Sequence, residues 1–75
     1  MSVSTYRENA IDYLYNKAYS DRDKALASLS ILLDHPAGIG DHSTGDLYEN
    51  LDEALSALAD AEDRLEVLEQ YYNRD

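Results

Sequence analysis

Three groups of residues have types and spacing that chemistry can use. The first is Tyr13, Tyr15, Lys17, Tyr19 and Arg22. A Tyr ring offers a flat stacking face with a polar tip, and Lys or Arg answers a phosphate. Together they suit a nucleotide-like ligand. The competing reading is a partly wet oligomer interface in which Tyr stands in for Phe and Leu, because Tyr is enriched at interfaces generally. The second group is Gly38, Gly40, His42 and Ser43. The glycines free the backbone to turn, and Ser43 and Thr44 lead into a helix whose first N–H groups favour an anion. No Lys follows as in a P-loop, and Asp41 and Asp46 oppose an anion. A plain connector, with a Pro stop and a Ser/Thr cap, competes with the ligand reading. The third group is His35 and His42 with Asp34, Asp41 and Asp46. Imidazole with carboxylate is zinc chemistry, but the spacing matches no established motif. No metal site and no cofactor is expected. No nucleophile–base–orienter arrangement can be read, so no catalytic residue is assigned and an enzyme is not expected.

The elements that would position these residues are helical. Thr5-Tyr6-Arg7-Glu8 fits a capping box and predicts a helix from about residue 5. Ile11, Leu14 and Ala18 share one face at helical spacing. Ser20-Asp21-Arg22-Asp23 is a second cap-like signal: it either starts a new helix or sits mid-helix as a kink. Ala25, Leu26, Leu29, Leu32 and Leu33 continue the apolar stripe. Pro36 then stops the helix, because it disfavours the α conformation at His35 and has no N–H of its own. Residues 35–46 hold every Gly, both His and the only Pro, which predicts a loop with Ser43, Thr44 and Asp46 as N-cap candidates. From there Leu47, Leu51, Ala54, Leu58, Ala61, Leu65, Leu68 and Tyr72 alternate steps of four and three. That is a heptad seam, with Leu55 widening it and Asp52, Glu53, Asp60, Asp63 and Glu66 on outer positions. A helix over about 46–72 would be roughly 40 Å long at ~1.5 Å per residue. It matches the stretch 5–34 in length, so the two should return antiparallel. An antiparallel return would gather Tyr6, Tyr13, Tyr15, Tyr19, Tyr71 and Tyr72 at one pole.

Length and composition say what this hairpin needs. Seventy-five residues make a single domain, here 1–75, with little core of its own. There is no Cys, so disulfides and thiolate zinc sites are excluded. There is no Trp and no Phe, and the aromatics are seven Tyr. The alanines of the seam allow close helix approach but bury little area. By elimination the expected staple is self-association, most simply a two-fold dimer forming a four-helix bundle, with a higher ring as the alternative. The all-α hairpin is thus read as the unit of a homo-oligomer. Net charge is −10, with six acids and four bases in residues 1–45 and ten acids and two bases in residues 46–75. That balance argues against unaided nucleic-acid binding, which needs Lys and Arg to replace counterions. It suits a basic protein partner, mimicry of nucleic acid, or simply a well-solvated helix face. No apolar run approaches the ~20 residues that cross a bilayer, and Met1 to Arg7 lacks an apolar h-region. The expected location is the cytoplasm.

The loop Leu33-Asp34-His35-Pro36-Ala37-Gly38-Ile39-Gly40-Asp41-His42-Ser43, followed by Ala61-Glu62-Asp63-Arg64-Leu65-Glu66-Val67-Leu68, resembles small proteins encoded by T4-like tailed phages, including phages of cyanobacteria. The resemblance covers roughly the last half of the chain and carries over no functional residue. It implies a phage origin and an early role in the host bacterial cytoplasm, against host machinery or host defence. Two functions are therefore expected to compete, with the first favoured because a pure charge mimic would not require so Gly- and His-rich a turn. In the first, an oligomeric sponge sequesters a small phosphate-bearing, nucleotide-like signal through Tyr13, Tyr15, Lys17, Tyr19, Arg22 and the loop residues Gly38, Gly40, His42 and Ser43. In the second, an acidic interaction protein or DNA mimic blocks a basic host protein surface.

Overall fold

The computed structural model describes residues 3–34 and 44–73. Two helices, α1 (Val3–Asp34) and α2 (Thr44–Tyr71), pack antiparallel along their length as a hairpin. Among the described residues there is no strand.

The helix ends differ a little from expectation. α1 begins at Val3, so Thr5 lies inside the first turn instead of capping it. α2 begins at Thr44, so Thr44, Gly45 and Asp46 belong to the helix and not to the loop. Asp46 then stands in the first turn, where a carboxylate meets the positive end of the helix dipole. The remaining loop residues lie outside the described residues, including Pro36, Gly38, Gly40 and both His. α1 runs uninterrupted through Ser20-Asp21. Lys17 reaches one turn ahead to Asp21 at 2.9 Å, and Arg22 lies over the Tyr19 ring, 5.0 Å from its centroid. With Asp21 held by Lys17, its carboxylate supports the helix instead of capping a new one.

The core is a heptad seam on both helices. On α2 the expected series holds: Ala54, Ala61, Leu65 and Leu68 are buried, Leu47, Leu51 and Leu58 are half-buried, and Tyr72 stays 42 % exposed at the end. On α1 the inward series is Ile11, Tyr15, Ala18, Arg22, Ala25, Leu29 and Leu32. It shares Ile11, Ala18, Ala25, Leu29 and Leu32 with the apolar stripe read from sequence. Leu14, Leu26 and Leu33, however, are exposed. The reason is the repeat itself. Packing against a partner helix requires alternating steps of four and three, and that alternation passes through Tyr15 and Arg22, not through every Leu.

With the seam positions labelled a and d, all of Ala18, Ala25, Ala54 and Ala61 occupy d and all are buried. The a positions carry the bulk: Tyr15, Arg22 and Leu29 on α1, and Leu51, Leu58, Leu65 and Tyr72 on α2. Small d residues let the helices approach, and the larger a residues fill the space beside them. The best-packed stretch is at the open end, where Tyr15, Ala18, Leu65 and Leu68 form one cluster. The Tyr15 hydroxyl donates to the Tyr72 carbonyl at 3.2 Å, closing that end. Among the described residues, half of the buried apolar ones are nonetheless Ala, and no large side chain is fully buried. A Leu contributes ~1.5–3 kcal/mol on burial and an Ala much less. Such a seam leaves little margin over the chain entropy of ordering two long helices.

Candidate functional site

The two helices share one seam and leave two flanks, which differ chemically. One flank carries the c and g positions of both helices. Its middle is a groove of about 380 Å³ floored by Ala18 and Leu68 and walled by Tyr13, Leu14, Lys17, Arg64 and Val67. Both cations there are already paired along their own helix, Lys17 with Asp21 at 2.9 Å and Arg64 with Asp60 at 3.0 Å. The other flank carries the b and e positions. Its groove, about 470 Å³, is lined by Tyr19, Arg22, Glu62, Glu66 and Glu69.

These flanks separate the residues that the sequence groups together. Tyr13 and Lys17 face the c/g flank, and Tyr19 and Arg22 face the b/e flank. Tyr15 lies between them in the seam at 3 % exposure, its ring stacked on Tyr19 at 6.2 Å between centroids. A ring so placed has no free face for a base. At the open end Arg7 sits over the Tyr72 ring at 5.6 Å from its centroid, and both line a third groove with Tyr71. The antiparallel return does gather the tyrosines toward the open end, but Tyr13, Tyr19 and the pair Tyr71 and Tyr72 line three different grooves. Helical geometry explains this: Tyr15 and Tyr19 are one turn apart and stack, whereas Tyr13 points about 200° from Tyr15 and about 120° from Tyr19, so it cannot share their face. Gly38, Gly40, His42 and Ser43 lie outside the described residues.

The sequence grouping missed other residues. Arg64 faces Tyr13 and Lys17 across the c/g groove. On the b/e flank, Asp12, Asp23, Asp52, Glu62, Glu66 and Glu69 are all exposed, and no described b or e position carries Lys or Arg. Toward the loop end the same flank exposes Leu26, Leu33, Tyr48 and Leu55, each at an e position. Extending the heptad letters outward from the seam by one step would have found this face. Arg22 borders it from its a position, with Nε buried, no hydrogen-bond partner, and Asp23 Oδ1 at 3.7 Å. Among the described residues no group of acidic or His side chains is arranged to hold a metal ion. No helix among them is long and apolar enough to cross a membrane.

Compared with known proteins, the chain matches no family model, no curated protein and no solved structure.

Proposed function

We propose that this chain is a non-enzymatic interaction protein, a self-associating hairpin that holds a basic, partly apolar partner on its b/e flank. The observation that carries the reading is the composition of that flank. Six exposed acids, with no described Lys or Arg at its b and e positions and only Arg22 at its border, give a net negative field, which attracts cations and speeds encounter. The exposed Leu26, Leu33, Tyr48 and Leu55 add apolar side chains toward its loop end, and exposed apolar surface rimmed by polar residues marks interaction sites. A basic amphipathic segment has the complement of both. The leucines go beyond what imitation of a nucleic-acid backbone requires, so the favoured partner is a protein. The resemblance to phage proteins makes a basic host protein the first to test. Self-association supplies the burial that an alanine-rich seam does not.

The test is titration calorimetry with a synthetic amphipathic helix of Lys and Leu heptads at low salt. Binding is expected, and it should weaken by about tenfold or more in a Glu62→Lys, Glu66→Lys, Glu69→Lys variant, as loss of charge complementarity requires. Absence of binding, or binding indifferent to the triple reversal, would overturn the proposal.

A second reading, sequestration of a small phosphate-bearing ligand, is supported by one observation: Tyr13, Lys17 and Arg64 line a single groove with an apolar floor, where Asp60 and Asp63 work against it. Native mass spectrometry with a nucleotide panel tests it. Retained ligand that disappears in Tyr13→Ala and Lys17→Ala would favour the sponge over the protein-binding reading.

A further inference from the structure

The c/g flank differs from the b/e flank in being electrically balanced. On α1 it presents Arg7, Lys17 and Lys24 against one acid, Asp21. On α2 it presents Asp46, Glu53 and Asp60 against one base, Arg64. The α1 edge is thus basic and the α2 edge acidic. We infer that this flank is the surface on which a second copy docks, with the two-fold axis parallel to the helices, so that α1 of each copy lies on α2 of its partner. The inference rests on the self-association proposed above and says where and how it occurs.

Register supports it. Ala18 and Leu68 line one groove together, and Leu32 and Ala54 line another. Each step forward along α1 is therefore a step back along α2. By that rule Lys24 is level with Glu62, and Asp21 with Leu65. A rotation about an axis parallel to the helices keeps every residue at its own level. It brings Lys24 opposite the partner's Asp60 and Asp21 opposite the partner's Arg64, each within two residues, or ~3 Å along the axis. It also sets Leu14 against the partner's Tyr71, and Ile31 against the partner's Ala57. Leu14, Ile31, Val67 and Tyr71 are exposed apolar residues that such a contact would cover.

The other two-fold arrangement has its axis across the helices and lays α1 on α1. Lys17 and Lys24 would then face the partner's basic edge, and the acidic edges would face each other, which like-charge repulsion opposes. The intrahelical pairs Lys17–Asp21 and Arg64–Asp60 do not prevent docking. Exposed pairs of this kind hold ~1 kcal/mol or less, and their members can share partners across the interface. Size also fits. A flank two helices wide, ~20 Å, and ~40 Å long offers roughly the ~800 Å² per partner of an ordinary stable interface.

The experiment is sedimentation equilibrium of the full chain, with circular dichroism at matched concentrations, on wild type, Lys24→Asp, Asp60→Lys and the double reversal. Wild type is expected to be dimeric. Each single reversal should weaken dimerisation about tenfold or more, with helix content falling in parallel if the monomer is poorly folded. The double reversal, which restores opposite charges across the interface, should recover both. Singles that dimerise like wild type, or a double no better than the singles, would overturn the assignment of this flank while leaving self-association standing. A wild-type chain that stays monomeric at ~100 µM would remove self-association as well.

Discussion

The two flanks of this hairpin are built on the same seam from the same two helices, yet they are opposites. The c/g flank balances a basic α1 edge against an acidic α2 edge, and the b/e flank carries acids on both. A surface that is neutral in sum but split in sign complements a rotated copy of itself. A surface of one sign repels its own copy and attracts something else. The difference lies not in the apolar content, since both flanks expose Leu, but in where the six bases of the chain were spent. None of the described ones stands at a b or e position.

The comparison can be broken most severely at the seam on which both flanks depend. Ala61 is 1 % exposed, and Ala61→Leu should push the helices apart and destabilise the hairpin by ~1–3 kcal/mol, the usual effect of overpacking. Thermal unfolding by circular dichroism reads this, with exposed Ala59→Leu as the control expected to change little. The same variant should lose both dimer and partner binding, because both flanks lose their spacing.

A smaller and more selective change separates the flanks. The reversal of Glu62, Glu66 and Glu69 to Lys should abolish capture of the Lys/Leu helix yet leave the sedimentation of the dimer unchanged. If the dimer dissociated instead, the two surfaces would not be distinct. Salt offers the same separation without mutation. Between low and ~0.5 M salt, binding of the cationic helix should weaken strongly, since its charges are exposed and screened. The dimer, with apolar contacts beside its charge pairs, should weaken less. The smallest expected effect is at the open end. Tyr15→Phe removes the hydroxyl that donates to the Tyr72 carbonyl and should lower stability by ~0.5–1.5 kcal/mol, with no change in either binding property.

How much of this was legible in the sequence follows from what periodicity measures. The α2 seam could be read residue by residue, because its inward positions are Leu and Ala with a single terminal Tyr. The α1 seam could be read only in part. Two of its seven positions are Tyr15 and Arg22, which an apolar pattern passes over, while Leu14, Leu26 and Leu33 are apolar but lie outside the seam. Continuity through Ser20-Asp21 was undecidable locally, because the same carboxylate caps a new helix or pairs with Lys17 one turn back. The tyrosine cluster was misleading for a different reason. Nearness along a helix is not nearness in space, and Tyr13, Tyr15 and Tyr19 radiate to a flank, the seam and the opposite flank.

The alanines at d have a consequence for how the hairpin knows its own alignment. Ala18 and Ala25 on one helix and Ala54 and Ala61 on the other repeat at the same interval. In the observed register only Ala25 and Ala61 stand level, while Ala18 stands beside Leu68 and Leu32 beside Ala54. Sliding one helix past the other by a single heptad would set Ala18 beside Ala61 and Ala25 beside Ala54, but also Leu32 beside Leu47, large against large where the helices come close. The ladder thus behaves as a ratchet: each small rung accepts one bulky neighbour, and a slip of one tooth jams it.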